Sequence, residues 1–184
     1  GDAVVLAPGH SSRDTYAMLS GLGVVMEQKP FAVGFRVEHP AELINEIQYG
    51  MPRHTKLPAA DYALRYNDPE SGRGVYSFCM CPGGEVITAP SEAGGVVVNG
   101  MSGRKRDLPW SNSALVVTVG PQDIGTDDAL AGVRFQRHWE QQAFSAGGSD
   151  YNAPAQNLMA FLGRGQGLLR SSCRPGVREA ELQR

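Results

Sequence analysis

The sequence has no apolar run near the ~20 residues that a membrane-crossing helix needs, so a helical membrane protein is not expected. Nor is there an excess of charge of either sign. Lys and Arg number 17 against 19 Asp and Glu, a formal net charge of -2. That removes the electrostatic ground for expecting nucleic acid or an anionic membrane as a partner. The one basic run, "GRKRD" at Gly103–Asp107, is short and reads as a solvated loop. Cysteine is scarce: three in 184 residues, an odd number, which excludes a disulfide scaffold. It suits a reducing compartment, and a cytoplasmic location is expected.

Several catalytic signatures are missing too. A structural zinc site wants four Cys or His ligands in paired spacings. Cys79-x-Cys81 has no second pair, Cys173 lies far along the chain, and His10, His39, His54 and His138 are scattered, so no metal is expected. The G-x-S-x-G elbow of a serine hydrolase does not occur, and "PGHSS" is no substitute for it. The paired carboxylates Asp127 and Asp128 sit where a helix would start and are explained by capping. No G-x-G-x-x-G is present, and its nearest approach, "GRGQG" at Gly163–Gly167, follows a helix rather than a strand.

What is present is 41% hydrophobic residues and 23 glycines, the composition of one folded domain with many tight turns. Val4–Ala7, closed by Pro8-Gly9, reads as a buried strand. Ser11 or Ser12 then caps a helix carrying Tyr16, Leu19 and Leu22, with Asp14 in its first turn. "VVMEQ" follows as a closing strand of this α/β unit. From Lys29 the texture changes. "FAVGFRVE" alternates as a half-exposed strand, and "HPAELINEIQYG" predicts a helix with Leu43, Ile44 and Ile47 inward and Gly50 as its stop.

The segments "DYALRYN", "GVYSFCM", "EVITA", "GVVVNG" and "ALVVTVG" are short strands separated by Gly, Pro, Asn and Asp, the pattern of antiparallel meanders. A helix with its cap at Thr126 or Asp127 should turn Leu130, Val133, Trp139 and Ala143 inward. A last one should pack Leu158, Phe161 and Leu162 and stop at Gly163. The fold class expected is α+β, a mainly antiparallel or mixed sheet with flanking helices. The strand-like opening "DAVVLAP", without Met, and the closing "RPGVREAELQR", where another helix begins, fit a segment of a longer protein.

Within this pattern "YSFCMCPGG" (Tyr76–Gly84) stands out. Positions i and i+2 of an extended strand lie about 6.5–7 Å apart, which makes a disulfide between Cys79 and Cys81 strained. The two remain open as small apolar strand residues, as pocket lining or as redox thiols. Gly83-Gly84 suit a backbone that passes close to a flat ligand or to another stretch of chain. Asn99 and Asn112 sit beside strands, and turn formation explains them more readily than ligand contact.

Taken in order, "DAVVLAPGHSSRDTY", "KPFAVGFRVEHP", "INEIQYG", "YSFCMCPGG", "GGVVVNGMS", "NSALVVTV" and "RPGV" resemble the middle of a group of bacterial FAD-dependent dehydrogenases. These are NAD(P)/FAD-dependent oxidoreductases whose dinucleotide-binding domain is built in two parts. The resemblance implies that residues 1–28 are the tail of an N-terminal, Rossmann-like FAD-binding half, and that 29–184 are an inserted substrate domain. It implies that Ala7, Pro8, Gly9, His10 and Ser11 pass near the FAD pyrophosphate or ribitol, with backbone N–H groups at the helix start as donors. Arg13 and Asp14 would help position the cofactor. Cys81, Pro82, Gly83 and Gly84 would line the flavin ring or the substrate cavity, with Cys79 and Cys81 as redox candidates. The partners implied are a small-molecule substrate and the remaining FAD-binding segments of the parent chain, with NAD(P)H as a further cofactor.

Two functions of different kind follow. One is the substrate-domain portion of a flavoprotein oxidoreductase, shaping the pocket beside the flavin and inactive by itself. The other is a non-catalytic α+β module that binds a small molecule or a protein. Thiol–disulfide exchange through Cys79-x-Cys81 is a weaker third, because the usual C-x-x-C at a helix N-terminus is missing.

Overall fold

A computed structural model describes residues 3–164. Cys173, the "RPGV" stretch, the end of "GRGQG" and the helix expected near the C-terminus lie outside them. The fold is α+β with antiparallel sheets, as its pattern of short β-branched runs requires.

Its centre is β6 (Trp110–Val119), which pairs on both sides. On one side lies β1 (Phe31–Pro40), antiparallel and in unbroken register from Phe31 opposite Val119 to Pro40 opposite Trp110. On the other lies β3 (Gly74–Cys81), with β2 (Arg65–Asn67) as the far edge, giving the order β1-β6-β3-β2. The β3–β6 register holds from Val75 opposite Val117 to Phe78 opposite Ala114. It then slips by one residue, so that Cys81 faces Asn112. Cys79, with φ +48°, sits in this β-bulge.

A hairpin of β4 (Gly84–Thr88) and β5 (Val98–Ser102) packs on the end of this sheet, touching β6, β3 and β1. The approach is close because β5 has a glycine there. A Cβ on Gly100 would lie 2.3 Å from Arg36 Nη2 and 2.4 Å from Asn112 Oδ1.

The helices surround this core: α1 (Arg13–Gly21), α2 (Ala41–Tyr49), α3 (Pro121–Ile124), α4 (Ala131–Gly147) and α5 (Leu158–Phe161). α2 follows directly from β1 and ends where Gly50 turns left-handed at φ 72°. α4 holds the start of β1 through an edge-to-face contact of Phe135 with Phe31, centroids 6.0 Å apart.

Several local expectations come out differently. Val4–Ala7 is not a buried strand but exposed irregular chain, with Val4 94% and Val5 91% exposed. A strand needs a neighbouring edge for its N–H and C=O groups, and among the described residues nothing pairs with this one. "VVMEQ" is likewise irregular. α2 buries only Ala41 and Ile44, since only a short part of it meets the sheet, and Leu43 and Ile47 face outward. α4 starts at Ala131 rather than at 126 or 127. Thr126 and Asp128 spend their side chains closing a turn, with Asp128 Oδ1 accepting from the Leu130 N–H at 2.8 Å. Trp139, Leu158, Phe161 and Leu162 are each more than half exposed, although Phe161 meets the Phe35 ring edge-on at 4.9 Å.

The close β1–β6 approach makes a specific demand at Gly34. A Cβ there would sit 1.9 Å from the Leu115 carbonyl oxygen, a backbone atom with no freedom to retreat. Gly34→Ala should therefore cost at least about 1–3 kcal/mol in urea unfolding. Gly21→Ala, whose Cβ meets nothing within 4 Å, should leave the midpoint unchanged or raise it. Equal shifts for the two variants would contradict the packing described.

Candidate functional site

Two polar constructions lie at opposite ends of the β4–β5 hairpin. The first docks α1. Arg13, the first residue of that helix, turns inward until its side chain is 7% exposed. Its Nη2 donates to Glu140 Oε1 at 2.6 Å and its Nη1 to Glu140 Oε2 at 2.8 Å, a two-pronged grip on α4. Nη1 also donates to Glu92 Oε2 at 3.0 Å in the β4–β5 loop, and Arg137 holds the same carboxylate from Nε and Nη2 at 2.8 Å each. The Arg137 and Arg13 guanidinium groups bring the Glu92 carboxyl down to about 2 against the cost of burial. A cleft of about 310 Å³ opens beside the network, lined by Glu92, Ala93, Gly95, Arg137, Glu140 and Gln141. Its arginines are engaged by carboxylates, so the arrangement serves to fasten α1.

The second construction stands at the start of β6, where "SNS" interrupts an otherwise apolar strand. Ser111, Asn112 and Ser113 are 1%, 0% and 0% exposed. Each serves the irregular backbone of Phe78–Gly84. The Ser113 hydroxyl donates to the Phe78 carbonyl at 3.4 Å. Asn112 Oδ1 accepts from Arg36 Nε at 2.7 Å, and Arg36 Nη2 donates onward to the Cys79 carbonyl at 2.5 Å and to Cys81 Sγ at 3.6 Å. The Ser111 hydroxyl accepts from the Gly83 N–H at 3.0 Å, and from β5 the Ser102 hydroxyl donates to the Pro82 carbonyl at 2.9 Å. A bulge takes the main chain out of the ladder, and these side chains satisfy what the ladder no longer can.

Titratable groups ring this end of the sheet. His39 Nε2 lies 2.9 Å from the Tyr62 hydroxyl, and Nδ1 faces the Pro40 carbonyl at 3.4 Å. That arrangement fits a neutral ring with Nδ1–H donating to Pro40 and Nε2 accepting from Tyr62. Burial lowers the His39 pKa and raises that of Tyr62, so at neutral pH the pair is an uncharged imidazole and a protonated phenol. Glu38 is opposite Asn112 across the β1–β6 ladder, and burial pushes its carboxyl up. Glu38 Oε2 and Asn112 Nδ2 are both buried without a hydrogen-bond partner among the described residues.

The residues singled out from sequence fall into two groups that the structure keeps apart. Ala7, Pro8, Gly9, His10 and Ser11 form an exposed loop, with Gly9 left-handed at φ 84°. Asp14 is exposed and accepts from the Thr15 N–H, while Arg13 belongs to the docking network. Cys79 is exposed, Cys81 is 8% exposed, and Pro82, Gly83 and Gly84 are buried. Both cysteines are free thiols, and burial pushes the Cys81 thiol up against the opposing charge of Arg36. Among the described residues no hydrogen bond or ion pair joins the two groups. The first is tied through Arg13 to the β4–β5 loop and the second sits at the open end of the hairpin. The five residues of β4 separate those ends by about 14 Å.

Sequence reasoning missed Arg36, Ser111, Ser113, His39, Tyr62 and Glu38. It favoured a turn for Asn112, which instead lies fully buried inside β6. The available signal was three consecutive polar residues opening a strand of valines, with an arginine at an alternating position of the partner strand.

Comparison with known proteins gives the family. Residues 30–184 match the model of the family described as "FAD-dependent protein, C-terminal domain-like", and the chain belongs to that family. A protein of Clostridium beijerinckii (strain ATCC 51743 / NCIMB 8052), described only as uncharacterized, is 56% identical over 162 residues. The match covers 88% of this chain and 30% of that protein's length.

The Arg13 network makes a pH-dependent contribution of known sign. Glu92 has a folded-state value near 2, below its ordinary 4.5, so its contribution is present above about 4.5 and is lost as pH falls toward 2. Wild type should lose stability more steeply over that window than Glu92→Gln, measured by thermal unfolding at each pH. Arg13→Ala, which leaves Glu140 without its bidentate partner, should cost about 3 kcal/mol at neutral pH. Parallel pH curves for wild type and Glu92→Gln would contradict this account.

Proposed function

Proceeding from membership of this family, we propose that the chain is the substrate-domain portion of an FAD-dependent oxidoreductase, shaping the pocket next to the flavin. One observation carries the reading: the family match over residues 30–184. The start of that match at residue 30 supports a division in which residues 1–28 belong to the FAD-binding half of the parent and 29–184 form a domain inserted in it. The exposed Val4, Val5 and Leu6, without a pairing strand among the described residues, fit that assignment as a strand completed by other segments of the parent.

The fit to FAD differs between the two groups of residues. The Ser12 hydroxyl donates back to the Pro8 carbonyl at 2.9 Å rather than capping α1, while within the first turn Asp14 Oδ1 accepts from the Thr15 N–H at 2.8 Å and the Arg13 N–H donates to the Ser11 carbonyl at 2.9 Å. The loop before it is open, so Ala7–Ser11 can face an anionic group such as a pyrophosphate, whereas the first turn already carries the Asp14 carboxylate and has the Arg13 and Thr15 amides engaged. At Gly83 and Gly84 the room that the missing side chains leave is taken by this chain. Added Cβ atoms would lie 1.9 Å from the Arg106 carbonyl oxygen and 2.4 Å from that of Met101. The glycines therefore serve close approach of the chain to itself, and the groups at this corner open to a neighbour include Phe78, Cys79 and the half-buried Arg36. FAD would supply hydride chemistry when bound. The role of this chain is to orient substrate and exclude water, with NAD(P)H as a second cofactor of the parent.

The full-length protein should purify with flavin absorbance, or take it up on reconstitution with FAD, and the 184-residue chain alone should not retain it. In the full-length protein, Cys81→Ser should leave the rate of flavin reduction within about threefold of wild type, because Cys81 is buried and its sulfur does not reach the surface that a flavin would meet. A full-length protein that stays colourless after reconstitution would overturn the proposal.

A further inference from the structure

The bulge at Cys79 changes what the two cysteines can do. In an unbroken strand their spacing would keep the side chains parallel and apart. Here Cys79 is left-handed at φ +48° and the register has slipped before Cys81, so the ideal strand geometry no longer governs the pair. Cys81 Sγ lies 3.6 Å from the Cys79 carbonyl oxygen, and both accept from the same Arg36 Nη2, at 2.5 Å for the carbonyl and 3.6 Å for the sulfur. The exposure of the two thiols is asymmetric: Cys79 is open to solvent and Cys81 is 8% exposed.

We propose that Cys79 and Cys81 form a peroxide-responsive thiol pair, in which exposed Cys79 is oxidised first and buried Cys81 closes a reversible disulfide across the bulge. The Cys79 sulfur attacks one oxygen of hydrogen peroxide, breaking the O–O bond and giving Cys79–SOH and one water. Cys81 sulfur then attacks the sulfenic sulfur, forming the S–S bond and releasing a second water, with the thiol protons leaving in the two waters. Two electrons pass from the thiols to the peroxide, and an external dithiol returns them. Closure removes the Cys81 thiol as an acceptor for Arg36 and ties the bulge that precedes the Pro82–Gly84 turn. The site thus becomes an oxidation-sensitive clip on the Phe78–Gly84 segment.

The test is peptide mapping on the full-length protein, so it does not rest on any variant folding. Trypsin releases both cysteines on one peptide, residues 74–104, since no Lys or Arg lies between Arg73 and Arg104. After hydrogen peroxide and alkylation under denaturing conditions, that peptide should lose both alkylation sites together and regain both after dithiothreitol. Cys79→Ser should abolish the response and leave Cys81 alkylated. The proposal is overturned if Cys79 accumulates as sulfinic acid while Cys81 remains alkylated, if both sites stay alkylated, or if either cysteine is found linked elsewhere in place of its neighbour.

Discussion

Much of this structure depends on three consecutive buried polar side chains at the start of β6. Ser111, Asn112 and Ser113 occupy positions where a strand paired on both sides would ordinarily carry apolar residues. Burying them without partners would cost on the order of 1–3 kcal/mol each. Ser111 and Ser113 bond the backbone of the neighbouring Phe78–Gly84 segment directly, and Asn112 reaches it through Arg36. The bulge and the polar strand are therefore conditions of one another: the irregular chain frees groups that the side chains satisfy, and the side chains are satisfied only by an irregular chain. β5 completes the arrangement, since only a glycine at position 100 leaves room for the Arg36–Asn112 pair beneath the hairpin.

A second, electrostatic fastening acts at the other end of the hairpin. Glu92 in its loop and Glu140 on α4 close on Arg13 of α1, so a helix with mostly exposed apolar side chains is held to the domain by a charged grip. The hydrophobic surface of α1 and of the chain around it stays outward: Met18, Leu22 and Val25 are each at least half exposed. A helix whose first residue is fixed while its apolar side chains stay outward leaves an apolar surface on this face of the domain.

The fold class was legible because it rests on period. "FAVGFRVE" and "ALVVTVG" alternate or run as strands do, and they pair with one another as β1 and β6. Gly50 and Gly163 end helices because the left-handed conformation at those points needs no Cβ. What failed was whatever depended on partners distant in sequence. "DAVVLAP" has strand propensity but no pairing edge among the described residues, and Ile47 and Trp139 have helical spacing yet stay more than half exposed, Trp139 making edge-to-face ring contacts with Phe135 and its neighbour His138. The candidate site was only half visible for the same reason. "CMCPGG" drew attention through its odd composition. Arg36, 43 positions from the carbonyl it holds, and Ser111, 28 positions from the amide it receives, announce themselves only through the β-pairing that brings them together.

The central claim, that the polar start of β6 shapes the Phe78–Gly84 segment, is tested most directly by amide hydrogen exchange on Asn112→Ala. Removing the Asn112 side chain takes away the acceptor that steers Arg36 to the Cys79 carbonyl. The account predicts faster exchange confined to residues 79–84, while the β1–β6 ladder from Phe31 to Phe35 and Leu115 to Val119 keeps its protection. Unchanged exchange across 79–84, with the ladder intact, would show that the bulge holds its shape without these side chains and would contradict the account.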